Sequence, residues 1–389
     1  MAADIKNKKA AMDCNDRGTG YHNQKIYDKA IESFTQAIEL DPEATQSYYN
    51  RGLSYAELHN YAHAVPDFNK AVELDPGFAG AYNDRGNVHK ELGHYGKAVK
   101  DYTRVIELEI ESAAVYNNRG VCLFNLKHYE QAKEDLKKAT ALNFGLAEAY
   151  YYRALCCMHL KQFGEAADDF TRAVEFDFDK SENSESSEKS DKSDKTDKTG
   201  KSDIYANRAA AYYHLERYEE AADDYGKAVL ISPNDANIYH RRGASYGKMK
   251  KYGEAAADFD KAIELGMEHA HIYYERGVIL QLLSRHDEAD ADFTRAIELE
   301  GGRAELFYKR GYSRDELKQY AEAVEDFTQA IELDPEHVKA YNNRSVSYSN
   351  LKQYGKAADD IKKAIELEPG EPIYRENLEI CRRLMRTKK

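Results

Sequence analysis

AELFYKRGYSRDELKQYAEAVEDFTQAIELDPEH, residues Ala304 to His337, is one copy of a thirty-four-residue unit that runs through the chain. Copies in the same frame begin at Ala11, Thr45, Ala79, Ala113, Ala147, Ser202, Ala236, Ala270, Ala304 and Val338. The step is thirty-four residues each time except from Ala147 to Ser202, where it is fifty-five, so twenty-one extra residues, Ser181 to Lys201, separate the fifth copy from the sixth. A fixed period of this length is the mark of a stacked array in which each unit buries its apolar face against the next.

In the copy that starts at Thr45 the recurring residues are Tyr48, Gly52, Tyr55, Ala64, Phe68, Ala71 and Pro76. In an antiparallel helical hairpin, facing residues have numbers that add to a constant. This sets Tyr48 against Phe68, Gly52 against Ala64 and Tyr55 against Tyr61. The small pair lets two helix backbones approach and the large pairs fill the wider ends. The seam recurs as Tyr82/Tyr102, Tyr239/Phe259 and Tyr341/Ile361. Every copy also carries an Arg, from Arg17 and Arg51 to Arg344, and nine of the ten carry an Asp just before the second helix's large seam residue, an aromatic in most copies, from Asp67 to Asp360, with Ser33 as the exception. The same arithmetic brings Arg51 beside Asp67 and predicts a series of partly buried ion pairs that set register more than stability.

These residues resemble the tetratricopeptide repeat, and the resemblance covers most of the chain. It implies an all-α fold, a right-handed superhelical solenoid of antiparallel helix pairs, whose first helices line a concave groove that takes extended peptides. The expected organisation is a lead-in over residues 1–10, five repeats over 11–180, a disordered low-complexity insertion over 181–201, five more repeats over 202–371 and a capping helix over 372–389. The insertion contains no Leu, Ile, Val or aromatic residue to offset the entropy of ordering it. It reads as a spacer, with phosphorylation of its Ser and Thr residues as the alternative. Pro66 falls inside a second helix, where its missing N–H predicts a kink. The tail places Ile373, Leu378, Cys381, Leu384 and Met385 on an apolar stripe suited to covering the last repeat.

Composition narrows the function classes. The net charge of -13 argues against general nucleic-acid binding. Five cysteines, an odd number, do not read as a disulfide framework; Cys122, Cys156 and Cys157 fit as small apolar core residues. The polar, basic opening stretch does not read as a secretory signal and no apolar run approaches a membrane span, so a cytoplasmic or nuclear location is expected. No catalytic constellation, phosphate loop, cofactor motif or metal spacing stands out; His59 with His63 and His269 with His271 lack neighbouring ligands in a recognised pattern.

The first helices remain as the candidate surface. Asn50, Asn83, Asn87, Asn118, Asn207, Arg241 and Asn343 are the candidate groove residues, with Tyr49, Tyr151, Tyr274 and Tyr308 among them. An amide both donates and accepts, so a row of them can hold a peptide backbone whatever its sequence; the competing reading is that Asn is simply tolerated there. The row looks like the asparagine ladder of a protein glycosyltransferase superhelix, without a transferase domain. The stretch Asp203 to Tyr212 resembles the middle of a carboxylate clamp for chaperone C-termini, with Asn207 and Arg241 in place. That clamp is incomplete: Tyr151, Leu155 and Asn237 stand where Lys, Asn and Lys are needed, and the alternative window with Asn87 and Asn118 has Asn83, Glu148 and Tyr152 at the cationic places. The expectation is a non-enzymatic scaffold for a protein or peptide partner, with a co-chaperone-like adaptor or a targeting subunit beside an enzyme as the alternatives.

Overall fold

A computed structural model describes residues 2–182 and 193–387, and every element among them is a helix. Five pairs precede the insertion: α1 (Ala2–Asn23) with α2 (Tyr27–Leu40), α3 (Thr45–Glu57) with α4 (Tyr61–Leu74), α5 (Ala79–Glu91) with α6 (Tyr95–Glu107), α7 (Ala113–Asn125) with α8 (Tyr129–Leu142), and α9 (Ala147–His159) with α10 (Phe163–Glu182). Five follow it: α11 (Ser193–His214) with α12 (Tyr218–Ile231), α13 (Ala236–Lys248) with α14 (Tyr252–Glu264), α15 (Ala270–Leu282) with α16 (His286–Glu300), α17 (Ala304–Glu316) with α18 (Tyr320–Leu333), and α19 (Val338–Asn350) with α20 (Tyr354–Leu367). A last helix, α21 (Pro372–Thr387), ends the series. The helices fall into two compact units, α1 to α10 and α11 to α21. The expected lead-in is continuous with the first helix of the first copy. α10 and α11 reach into the segment expected as a disordered insertion, whose central residues 183–192 lie outside the described residues.

Each pair closes through the same turn. The fifteenth residue of every copy has positive φ: Lys25, His59, Gly93, Lys127, Lys161, Glu216, Lys250, Ser284, Lys318 and Lys352, all between 55° and 69°. Only one of them is glycine, the residue that takes this conformation without a Cβ penalty. The turn recovers helix-end hydrogen bonds in return: after α3, His59 N–H donates to Ala56 O at 2.9 Å and Asn60 N–H to Tyr55 O at 2.8 Å, the left-handed stop that satisfies orphan carbonyls. Between copies an acid or amide makes the bend, as where Gly77 N–H donates to Asp75 Oδ1 at 2.9 Å and Gly145 N–H to Asn143 Oδ1 at 3.1 Å.

The seam inside a pair differs from the facing-residue arithmetic. Phe68 lies with its ring against Gly52, so that a Cβ on the glycine would sit 2.9 Å from Phe68 Cε1. Gly86 meets Tyr102, Gly277 meets Phe293 and Gly311 meets Phe327 in the same way. Side chains on a helix lean toward its N-terminus, so the Phe68 ring reaches back over the level of Ala64, which is the level opposite Gly52. Large therefore meets small. Phe34, Phe68, Leu136, Phe170, Phe293, Phe327 and Ile361 are fully buried in this position, and each stabilises its pair by about 1.5–3 kcal/mol of burial. α4 runs unbroken from Tyr61 to Leu74 with Pro66 inside it.

The predicted ion pairs are present in all nine copies that have the Asp. Arg51, Arg85, Arg119, Arg153, Arg208, Arg242, Arg276, Arg310 and Arg344 each bind their own copy's aspartate at 2.5 to 2.7 Å. Each guanidinium also lies over the aromatic three residues earlier, as Arg85 does over Tyr82 with 5.2 Å to the ring centroid. This accounts for many of the 31 tyrosines. The first copy loses both partners together: with Cys14 and Ser33 in their places, Arg17 donates to Ser33 Oγ at 3.3 Å and to Gln36 Oε1 at 2.6 Å.

Helix α21 takes the place of the first helix of an eleventh copy. Asn377 Nδ2 donates to Asn342 Oδ1 at 3.1 Å, the thirty-five-residue step found between true copies. Where those copies put Tyr, Gly and Tyr to receive a second helix, α21 has Arg375, Glu379 and Arg382. Its buried stripe is Tyr374, Leu378 and Cys381, whereas Ile373 and Met385 of the expected stripe are exposed. A charged face where a partner would pack is what ends an array in water.

Candidate functional site

Within each unit, successive first helices contact one another, while among the described residues no two second helices make a comparable contact. The first helices therefore form the inner side, and their polar residues meet from copy to copy. Five contacts repeat at a spacing of thirty-five residues, joining the fifth residue of one copy to the sixth of the next. They are Asn15 with Asn50 at 3.2 Å, Tyr49 with Asp84 at 2.7 Å, His240 with Glu275 at 2.5 Å, Tyr308 with Asn343 at 3.4 Å, and Asn342 with Asn377 of α21 at 3.1 Å. Sequence reading singled out the amides but not these rungs, although the constant spacing was there to be found.

The candidate residues divide between the two units. In the first, Asn50 Nδ2 donates to Asn15 and its Oδ1 accepts from Gln46 Nε2 at 2.9 Å. Asn83 and Asn87 both donate to Asp84 Oδ1, at 2.9 and 3.3 Å. Asn87 Oδ1 in turn accepts from the Tyr102 hydroxyl at 2.8 Å and from Asn118 Nδ2 at 3.2 Å, and Lys90 Nζ donates to Asn118 Oδ1 at 3.0 Å. Asn87 and Asn118 thus belong to one network. In the second unit Asn207 is half-buried and has partners of its own, Asn343 is tied to Tyr308 and Asn342, and the charge of exposed Arg241 acts on the Tyr225 hydroxyl. Burial pushes that hydroxyl up to about 12 while the arginine pulls against it. The inner amides are accordingly spent first on stacking the copies, with only part of their capacity facing outward.

The inner face of the first unit carries carboxylates as well as the Lys90 ammonium at Asn118. Asp84 is held by Tyr49, Asn83 and Asn87, and Glu148 accepts from Asn117 Nδ2 at 2.7 Å; these donors are neutral and leave each carboxylate its charge. Burial and the bond to Asp84 hold the Tyr49 phenol well above the usual tyrosine range. The expectation that His269 and His271 lack neighbouring ligands fails for His271, which stands beside Glu275 and His240 because successive first helices stack. All five cysteines are free thiols, and Cys122, Cys156 and Cys157 are buried. No helix among the described residues is long and apolar enough to cross a membrane.

Family models described as tetratricopeptide repeat match residues 45–78, 113–144 and 304–337, residues 147–179, residues 68–100 and 327–358, and residues 236–265 and 270–302. One described as TPR repeat matches residues 18–59 and 209–250. Comparison with curated proteins returns no match. Among solved structures, the chain is similar to YrrB, described as a TPR protein with an unusual peptide-binding site, at 27% identity over 54% of this chain and 98% of that one, with a TM-score of 0.45. It is similar to a tetratricopeptide repeat protein from Parabacteroides merdae at 19% identity over 70% and 97% of the two chains, with a TM-score of 0.44. Similarity to yeast Tom70 is 17% identity over 98% and 96%, with a TM-score of 0.36.

Proposed function

Because the chain belongs to the tetratricopeptide repeat family, a fold of interaction scaffolds, we propose that it is a non-enzymatic adaptor that binds an extended segment of a partner protein along the inner faces of its first helices. The observation that carries this reading is the inner network of the first unit. There Asn87, Asn118 and Asp84 are held in place by bonds to one another, so a backbone laid across them meets polar groups already oriented. The charges of Asp84 and Glu148 favour a neutral or basic segment over an acidic one.

Docking of an acidic C-terminus has less support, since Glu148 brings a negative charge where a clamp needs a cation. A targeting role beside a separate enzyme is compatible with the same groove. Free, buried thiols suit a reducing compartment.

The test is an array of extended twelve-residue peptides of graded charge, probed with the wild type and with a variant carrying Asn118→Ala, Asn207→Ala and Arg241→Ala. Binding of neutral or basic peptides is expected, weakening by roughly 1 kcal/mol for each hydrogen bond to the peptide that the variant can no longer make. Equal binding by the variant, with loss only on substituting exposed second-helix residues such as Lys100 and Glu107, would move the site to the other face.

A further inference from the structure

At several junctions between copies within a unit, the stacking geometry brings together the fifth residue of one copy and the second or sixth of the next. At the first junction these are Asn15, Gln46 and Asn50, joined by hydrogen bonds. At the second they are Tyr49, Gly80 and Asp84, where Tyr49 bonds Asp84 and a Cβ on Gly80 would lie 3.5 Å from the Tyr49 hydroxyl. Between the fourth and fifth copies Asn117 reaches Glu148 in the second position. Between α13 and α15 the same three positions hold His240, His271 and Glu275. Among the described residues this is the one junction at which all three can ligate a metal ion.

We propose that His240, His271 and Glu275 form a binding site for a divalent ion of the zinc class. A ring nitrogen of His240, a ring nitrogen of His271 and a carboxylate oxygen of Glu275 lie within 4.8 Å of one another. His271 Nε2 is 3.4 Å from Glu275 Oε2, which is the separation two donors adopt when each sits about 2.0–2.1 Å from a tetrahedral ion. His240 Nε2 is closer, 2.5 Å from the same oxygen, which can only accept its hydrogen. Taking the ion requires His240 to carry its hydrogen on Nδ1 and the carboxylate to draw back by about 1 Å, within reach of a small side-chain rotation. Two imidazoles and one carboxylate are a donor set of intermediate softness, suited to Zn2+, Ni2+ or Cu2+ and poor for Mg2+ or Ca2+. Three protein donors leave a fourth position open, on the inner face. The His240 ring is backed by Phe259 at 5.8 Å between centroids and flanked by His269 at 6.1 Å, so it is held while exposed His271 adjusts. The proposal does not depend on a peptide occupying the groove.

The experiment is titration of untagged, chelator-treated full-length chain with ZnCl2, followed by calorimetry and by the shift in melting temperature, for wild type, His271→Ala, Glu275→Gln and His269→Ala. His271 is 60% exposed, so its removal leaves the fold intact, and circular dichroism without metal verifies this for each variant. Wild type and His269→Ala are expected to bind one Zn2+ and to melt at higher temperature with it, since the ion ties α13 to α15. His271→Ala and Glu275→Gln should bind at least about tenfold more weakly, the lower limit for loss of even an outer-shell partner. Absence of Zn2+ binding by the wild type, unchanged binding by His271→Ala, or equal binding of Mg2+ would each overturn the proposal.

Discussion

Arg119 holds Asp135 through two parallel hydrogen bonds, Nε to Oδ2 at 2.6 Å and Nη2 to Oδ1 at 2.7 Å, and its remaining nitrogen donates to Thr103 Oγ1 of the preceding copy at 3.1 Å. One guanidinium therefore closes its own hairpin and pins it to the hairpin before. The acceptor in the preceding copy recurs sixteen residues back as Thr35 for Arg51, Asn69 for Arg85, Asp260 for Arg276, Thr294 for Arg310 and Thr328 for Arg344. Where that place is Lys137, which cannot accept, Arg153 turns to Thr140 at 2.8 Å.

Removing one member of such a pair strands a buried charge, because the Asp135 side chain is only 7% exposed. Arg119→Ala should cost about 3–5 kcal/mol, whereas Arg119→Leu with Asp135→Leu should be near neutral. Urea unfolding of the two variants separates these outcomes. Equal losses in both would mean that the pair itself carries the stability rather than the register.

The turn residues give a prediction of opposite sign. Ser284 has φ 58° and Lys318 φ 62°, a conformation that costs an L-residue roughly 1–2 kcal/mol. Ser284→Gly and Lys318→Gly should each stabilise the chain by somewhat under about 1 kcal/mol once glycine's greater freedom in the unfolded chain is counted. Gly93→Lys should lose a similar amount. Melting temperatures read both directions, and a loss in the glycine variants would show that the side chains at these turns contribute more than the strain they carry.

Burial pushes the thiols of Cys122 and Cys157 up to about 11 and that of Cys156 up to about 12. A thiol pKa raised in the fold favours the folded state while the thiol is protonated. That contribution is complete below the unfolded value of about 8.5 and is lost as pH rises toward 11 to 12. At pH 8 these three should resist alkylation until the chain unfolds, while half-buried Cys14 reacts first. Rapid labelling of Cys156 or Cys157 in the native protein would contradict the burial.

The period made the helix pairs, their boundaries and the Arg–Asp pairing legible, because each follows from residues at fixed places within one unit. Packing between units was harder to see. The facing-residue arithmetic set Gly52 against Ala64 because it places Cα atoms only, and the lean of the Phe68 ring toward its helix N-terminus is what puts it over the glycine. The inner amides were visible as residue types, but their engagement with Asn15, Tyr102 and Lys90 depends on how one copy sits on the next. For the same reason His240 and His271, thirty-one residues apart, did not read as neighbours. Since Asn118 is bonded to Asn87 and Lys90, its replacement by Ala should also cost about 1 kcal/mol of stability, so binding assays on the triple variant call for a temperature well below its transition.

The junction before Arg242 lacks the third bond. Sixteen residues back stands Gly226, which offers no side-chain acceptor, and Arg242 binds Asp258 alone through Nε and Nη2 at 2.8 and 2.7 Å. A Cβ at Gly226 would lie 3.9 Å from Arg242 Nη1 and meets nothing closer, so a side chain fits without strain. Gly226→Thr would place a hydroxyl where Thr35, Thr103, Thr294 and Thr328 already serve their arginines. The substitution also replaces glycine inside α12 with a better helix former, worth a few tenths of a kcal/mol. A hydrogen bond to a charged donor adds roughly 1.5–3 kcal/mol at best, and less here because the site is open to water. A rise in melting temperature is therefore expected for Gly226→Thr and a smaller one for Gly226→Val, which has the same shape without the hydroxyl. If the two variants are equally stable, the third hydrogen bond contributes nothing and the recurring threonines are there for packing.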